Sequence, residues 1–368
     1  MMYRGYYQIM RIICFWSTFV LGVSVADLSI EEQVGQTMMI SFEGTEVPAR
    51  ITDLVKRYCL GGIIYYKSNC AGGVEQVAQL STTLQQQAAR NRHRIPLVIA
   101  ADQEGGRVQR IVFNDIPSQR SVGNMQNPQK TYAIARLLGE RLRTAGILMN
   151  CAPVADVAEL SSFLGDRTYS QDAYEVAQHV GAANEGYCAA GLITVMKHFP
   201  GHGGTIFDSH VGVFHVQKSY DELMARDLVP FVTHLDKIPA IMMAHVVYDS
   251  FDTNHIATIS PYIIQEFLRK QLKYQGVVIT DSLTMQGILQ KTGTLAEAAI
   301  LALQAGCDIL LFGKEILENG TIQCPDPETF VAIHQSIVSA VRDGRITKER
   351  LREAVERILG MKTQYCGL

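Results

Sequence analysis

The 368-residue chain sets 33 lysines and arginines against 36 aspartates and glutamates, so it lacks the basic surplus of a nucleic-acid-binding domain. With 47% hydrophobic and 19% charged residues it has the composition of a globular protein with a full core, which excludes a disordered chain. The length admits one large domain or two smaller ones, and a barrel of alternating strands and helices reaches about 250 residues or more as one domain.

Residues 1–26 read as a signal peptide, with 27–368 as the folded domain. Arg4 and Arg11 supply positive charge, an apolar run follows from Ile12 to Val25, and Ser24-Val25-Ala26 ends it with small residues. That layout predicts cleavage before Asp27 and export. The run falls short of the about 20 residues a membrane span needs, which argues against an uncleaved anchor. Arg11-Ile12-Ile13 before Cys14 lacks the small residues of a lipoprotein signal. The competing reading is a cytosolic enzyme that starts at Met10.

Short apolar runs then alternate with helical spacing. Thr37–Phe42, Gly62–Tyr66, Leu97–Asp102, Ile147–Ala152, Thr194–His198, Ala240–Ala244, Gly276–Asp281 and Asp308–Phe312 read as strands. They are apolar on both faces, as buried parallel strands are. Val74–Ala89, Lys130–Thr144, Ala173–Ala190 and Ser260–Gln271 carry helical periodicity between them. Eight such units predict an α/β fold, a single (β/α)8 TIM barrel. Asp326–Gln364 reads as helical and is expected outside the barrel, with no second sandwich domain. Of eight cysteines, those beyond Cys14 are Cys59, Cys70, Cys151, Cys188, Cys307, Cys324 and Cys366. An odd number at irregular spacing is not a disulfide framework, and without a CxxC a zinc site is not expected.

Ionisable residues follow several of these runs: Asp102, Lys197 with His198, His245 and Asp281. Barrel enzymes build their sites at the C-terminal ends of strands, so these side chains are candidates for one site. The most informative stretch is Lys197-His198-Phe199-Pro200-Gly201-His202-Gly203-Gly204-Thr205-Ile206-Phe207-Asp208-Ser209-His210. Lysine and histidine can donate hydrogen bonds to a polar ligand. Asp208 can orient the imidazole of His210 and favour its protonated form, giving a proton donor that later takes a proton back. The competing reading is a metal-binding cluster of His198, His202 and His210, for which Lys197 and a glycine run are poor material.

That stretch closely resembles the signature of family 3 glycoside hydrolases, in their β-N-acetylglucosaminidase branch. Three more segments resemble the family in order: Ala101-Asp102-Gln103-Glu104-Gly105-Gly106-Arg107-Val108-Gln109-Arg110, Gly165-Asp166-Arg167-Thr168-Tyr169, and Gly276-Val277-Val278-Ile279-Thr280-Asp281-Ser282-Leu283-Thr284-Met285. The likeness runs from about Ser29 to Gly360. It implies Asp281 as nucleophile, Asp208 and His210 as acid/base dyad, and Asp102, Arg110, Arg167, Lys197 and His198 as residues that hold an N-acetylglucosamine ring. Arg110 and Arg167 enter only through the resemblance; on charge alone each reads as an ordinary ion-pair arginine. The chain departs from the family in carrying Gly204 where an aspartate often follows GHG.

Export follows from the N-terminal pattern and a monomer is expected; the resemblance implies retaining hydrolysis of β-linked N-acetylglucosaminides through a covalent glycosyl-enzyme, with no cofactor or metal. Its substrate would be a carbohydrate or muropeptide from peptidoglycan, and neither nucleic acid nor stable membrane insertion is expected. Histidine in place of a second carboxylate keeps a phosphorylase reading open, since a neutral group would not repel phosphate. A sugar-binding protein without catalysis and a metal hydrolase are the readings from other classes.

Overall fold

A computed structural model describes residues 22–202, 212–316 and 321–366. The parallel strands are β1 (Met38–Ile40), β2 (Gly62–Tyr65), β3 (Val98–Ala101), β4 (Met149–Asn150), β5 (Ile193–Phe199), β6 (Ala240–Met243), β7 (Val277–Thr280) and β8 (Leu310–Phe312). They form one 8-stranded sheet ordered β7-β6-β5-β4-β3-β2-β1-β8. Its two ends meet. Thr280 N–H donates to the Ile309 carbonyl at 3.0 Å and Ile309 N–H to the Val278 carbonyl at 3.1 Å, so β7 and β8 close a TIM barrel.

Alternation along each strand separates two apolar layers. Met39, Ile64, Val98, Ala100, Val195, Met242, Val277, Ile279 and Leu311 form one buried set, which fills the barrel. Their neighbours Met38, Ile40, Ile63, Tyr65, Ile99, Met196 and Val278 pack in a larger set against the surrounding helices. Strands covered on both faces read in sequence as continuous apolar runs, which is why all eight were visible. Leu311→Ala would cost about 2–5 kcal/mol, as other large-to-small changes in a packed core do.

The outer helices include Gly73–Ala88, Pro128–Thr144, Ala173–Ala189, Leu295–Ala305 and a wide-turned helix at Tyr262–Gln271. Most expected strand boundaries shift by one or two residues, and two differences have a clear local cause. Thr37 ends the helix Ile30–Thr37, where its hydroxyl donates to the Val34 carbonyl at 2.8 Å, rather than starting β1. The C-terminal stretch is two helices, Pro327–Arg342 and Lys348–Cys366. They are separated where Gly344 takes φ +77°, a conformation that suits only glycine well. Among the described residues no helix is long and apolar enough to cross a membrane, and Cys59, Cys70, Cys151, Cys188, Cys307, Cys324 and Cys366 are free thiols.

The closing seam is tied from outside. Asp308, wholly buried before β8, accepts the Val278 N–H at 3.0 Å. It also pairs with Arg269 (2.7 Å), Arg350 (2.6 Å) and Arg357 (3.1 Å), the last two from the C-terminal helix.

Candidate active site

A cavity of about 220 Å³ opens at the C-terminal ends of the strands. Ile64, Met242 and Leu311 from the inner apolar layer contribute to its lining, so it lies at the mouth of the barrel. Asp102, Arg110, Arg167, Lys197, His198 and Asp281 all line it. The fold therefore gathers six of the eight residues singled out in the sequence. Asp208 and His210 lie outside the described residues.

Three cations and two carboxylates interlock at its centre. Lys197 Nζ donates to Asp102 Oδ1 at 2.9 Å and pairs with Glu104 Oε1 at 2.7 Å. Arg110 donates to Asp102 Oδ2 at 2.8 Å, and Arg167 grips Glu104 with Nε and Nη2, both at 2.9 Å. Glu104 and Lys197 are almost sealed, whereas Asp102, Arg110 and Arg167 keep 16–18% of their side chains exposed. Glu104 holds the cations in place; Asp102, Arg110 and Arg167 can meet a ligand, as can the remaining N–H of Lys197. Burial would raise both acids' pKa values, but the charges around them prevail. Lys197 and Arg110 hold Asp102 well below the usual range, and Arg167 and Lys197 pull Glu104 down to about 2. For Lys197, burial pulls its pKa down but Asp102 and Glu104 raise it on balance. At neutral pH the cluster is fully charged. Asp102 then has lone pairs left for a ligand hydroxyl, and the arginines have spare N–H groups.

Local chain chemistry builds this. After β3 the chain turns at Gly105 (φ +97°) and Gly106 (φ +55°). A Cβ on Gly105 would stand 2.3 Å from the Pro117 carbonyl oxygen, so glycine is required there. The returning segment is held by Gln103, whose Oε1 accepts the N–H groups of Arg110 (2.8 Å) and Ile111 (3.2 Å). Its Nε2 donates to the Ile111 carbonyl at 2.8 Å. Arg107 ties this turn to the loop after β4, donating to the Phe163 and Leu164 carbonyls at 2.9 Å. That contact brings in Phe163 and Arg167. Arg110 lies 5.1 Å from the Tyr66 ring centroid, a cation–π arrangement that orients the guanidinium.

β5 supplies both Lys197 and His198, and its register against β6 shifts between Lys197 and Phe199. His198 Nδ1 lies 2.7 Å from Asp156 Oδ2, and His202 N–H donates to Asp156 Oδ1 at 2.6 Å. His202 packs against Phe163, ring centroids 4.8 Å apart. Burial, then the neighbouring His198, pushes the pKa of His202 down to about 4, so its ring is neutral.

Asp281 follows β7 and is half-buried. Its Oδ1 accepts the Ser282 N–H at 2.7 Å, and its own N–H donates to the Met243 carbonyl at 3.3 Å. Ser282 is fixed by Thr284 (2.7 Å) and by the Gly313 N–H (2.9 Å). Asp281 lines the same cavity as the cationic cluster.

Three lining residues escaped the sequence reading. Glu104 sits two residues beyond Asp102, and it carried no role. His202 was considered only as a metal ligand, in a cluster whose third member, His210, lies outside the described residues. Tyr66 ended an expected strand as an apolar residue. Asp156, buried beneath them, lies past the run taken for β4, although the same strand-end logic extended by four residues reaches it. His245, a strand-end candidate, is not among the residues that line the cavity. It is wholly buried, with Nδ1 2.7 Å from Thr258 Oγ1 and Nε2 2.9 Å from the Ser282 carbonyl.

The sequence model of the glycosyl hydrolase family 3 N-terminal domain matches residues 29–361. A β-hexosaminidase of Idiomarina loihiensis is 33% identical over 314 residues, 82% of this chain and 93% of that protein. A family 3 β-N-acetylglucosaminidase structure from a Paenibacillus species superposes with a TM-score of 0.86 at 34% identity. It covers 92% of this chain, which in turn spans 63% of that longer one. A β-N-acetylhexosaminidase structure from Beutenbergia cavernae gives 0.81 at 28% identity, over 92% of this chain and 99% of its own. With a match over nearly its whole length, the chain belongs to glycosyl hydrolase family 3.

Proposed function

We propose that this protein is a retaining β-N-acetylhexosaminidase that releases terminal N-acetylglucosamine from β-linked glycosides. The observation that carries the reading is the half-buried Asp281 facing a charged, hydroxyl-matching cluster of Asp102, Arg110, Arg167 and Lys197 around one cavity. Relatives that are β-hexosaminidases support the substrate class. Asp281 attacks the anomeric carbon and the glycosidic C–O bond breaks, while His210, held by Asp208, protonates the departing oxygen. Water, deprotonated by His210, then attacks the same carbon and releases Asp281. Asp102, Arg110, Arg167, Lys197 and His198 hold the sugar ring. Water is the acceptor, since hydrolases are the relatives that match over most of the chain.

The natural substrate is a peptidoglycan fragment, and the enzyme acts as an exported monomer after loss of its first 26 residues or so. The basic, apolar and small-residue order of that segment supports export. Hydrolysis of an aryl β-N-acetylglucosaminide, with and without phosphate, tests the reaction. Products should be free sugar in both. Asp281→Asn should lose at least about a thousandfold in turnover, and a fluorinated sugar should label Asp281. Labelling of another carboxylate, or a sugar phosphate as product, would reject the reading.

A further inference from the structure

Asp156 touches neither cavity nor solvent, yet three donors converge on it. Oδ1 accepts the His202 backbone N–H at 2.6 Å. The His198 backbone N–H stands 3.3 Å from both oxygens. Oδ2 lies 2.7 Å from His198 Nδ1. The carboxylate is wholly buried, and burial opposes its charge, but the adjoining His198 brings its pKa below the ordinary value. An ionised carboxylate has no proton to give, so the proton on the Asp156–His198 bond belongs to Nδ1. The ring lines the cavity, and the nitrogen left for a ligand is Nε2.

We infer that Asp156 is a positioning residue that fixes the tautomer of His198, so that Nε2 faces the cavity as a hydrogen-bond acceptor for one sugar hydroxyl. The inference rests on the proposed sugar-binding role of the cavity. Within the cluster it has a specific logic. Lys197, Arg110 and Arg167 are donors only, and Asp102 already shares each oxygen with a cation. A second acceptor lets the site receive hydroxyl protons at more than one ring position.

Asp156→Asn separates this role from simple support. The His202 N–H needs an acceptor at the Oδ1 position, so the new amide oxygen takes that place and the amide nitrogen falls beside His198 Nδ1. That nitrogen donates, which turns Nδ1 into an acceptor and moves the ring proton to Nε2. The group facing the sugar changes from acceptor to donor without changing its shape.

The test has two readouts on the full chain. Imidazole 15N spectra at about pH 8, above the ordinary histidine range, should report His198 with its proton on Nδ1 in the unmodified protein and on Nε2 in Asp156→Asn. The 3-, 4- and 6-deoxyfluoro aryl β-N-acetylglucosaminides supply the second, because fluorine cannot donate. At one ring position the loss on replacing hydroxyl by fluorine should shrink at least about fivefold in Asp156→Asn, the worth of one hydrogen bond. The inductive effect of fluorine is common to both proteins and cancels. A proton on Nε2 in the unmodified protein, a doubly protonated ring at that pH, or unchanged fluorine losses at all three positions would overturn the inference. Absence of any N-acetylglucosaminide hydrolysis by the unmodified protein would instead reject the proposed function, and the spectrum would still report the tautomer.

Discussion

Arg167 holds Glu104 through two parallel bonds of 2.9 Å, and Glu104 has almost no surface in contact with water. Removing the acid in Glu104→Ala would leave the sealed Lys197 with Asp102 alone and Arg167 without its partner. Breaking a buried pair from one side costs about 3–5 kcal/mol, so the urea midpoint should fall sharply. The depressed acid also predicts a pH dependence. Its folded pKa of about 2 lies below the ordinary value of about 4.3, so its contribution is complete above pH 4.3. That contribution is lost as pH falls towards about 2. Unfolding free energies across that window should drop by on the order of 3 kcal/mol more in the unmodified protein than in Glu104→Gln. Parallel slopes would show that Glu104 is not held as a carboxylate.

His202 predicts a second, higher window. Its folded pKa of about 4 lies below the ordinary histidine value of about 6.5, so the unfolded chain binds its proton first. Stability is therefore complete above pH 6.5 and declines as pH falls towards 4, by on the order of 3 kcal/mol. His202→Gln should flatten that decline. Urea titrations at pH 7 and pH 4.5 measure it, and an equal decline in both proteins would mean that another group carries the window.

His210→Ala should slow poor leaving groups far more than activated aryl ones, because a good leaving group departs with little protonation. A series of aryl N-acetylglucosaminides of graded leaving-group acidity measures the slope. Asp208→Ala should give the same pattern in weaker form. Equal losses across the series would remove His210 from the acid role.

The donor-rich cluster should reject sugars that leave its buried groups unpaired. We expect catalytic efficiency for an aryl β-N-acetylglucosaminide to exceed that for the β-glucoside at least about a hundredfold, roughly 2.7 kcal/mol. Both aryl glycosides assayed under one condition give the ratio. A value near one would place the enzyme in another branch of the family.

The barrel was legible in sequence because each parallel strand is apolar on both faces, from Met38 through Phe312. Asp102, Lys197, His198 and Asp281 were legible because they directly follow such runs. Arg110 and Arg167 were not readable from physical pattern. Their long side chains start from loops, and only the turn at Gly105 and the Arg107 tie bring their guanidinium groups to the cavity. Asp156 was missed for a related reason. β4 counts only Met149–Asn150 as strand, yet the chain keeps hugging β5 beyond it, with Ala155 N–H donating to the Lys197 carbonyl at 2.7 Å. His245 illustrates the converse: a polar residue at a strand end, wholly buried, that bonds to Thr258 and Ser282.

The knot at Asp308 lets a helix outside the barrel brace the strand that carries Asp281. β7 and β8 meet along the shortest pairing in the ring, and β7 delivers Asp281. The clasp across that fault line is fastened by Arg350 and Arg357, contributed by the helix Lys348–Cys366. Loss of those two arginines would leave Asp308 with Arg269 as its partner and loosen the seam beside Asp281. The closure of the barrel and the placement of Asp281 thus share one buried carboxylate, Asp308.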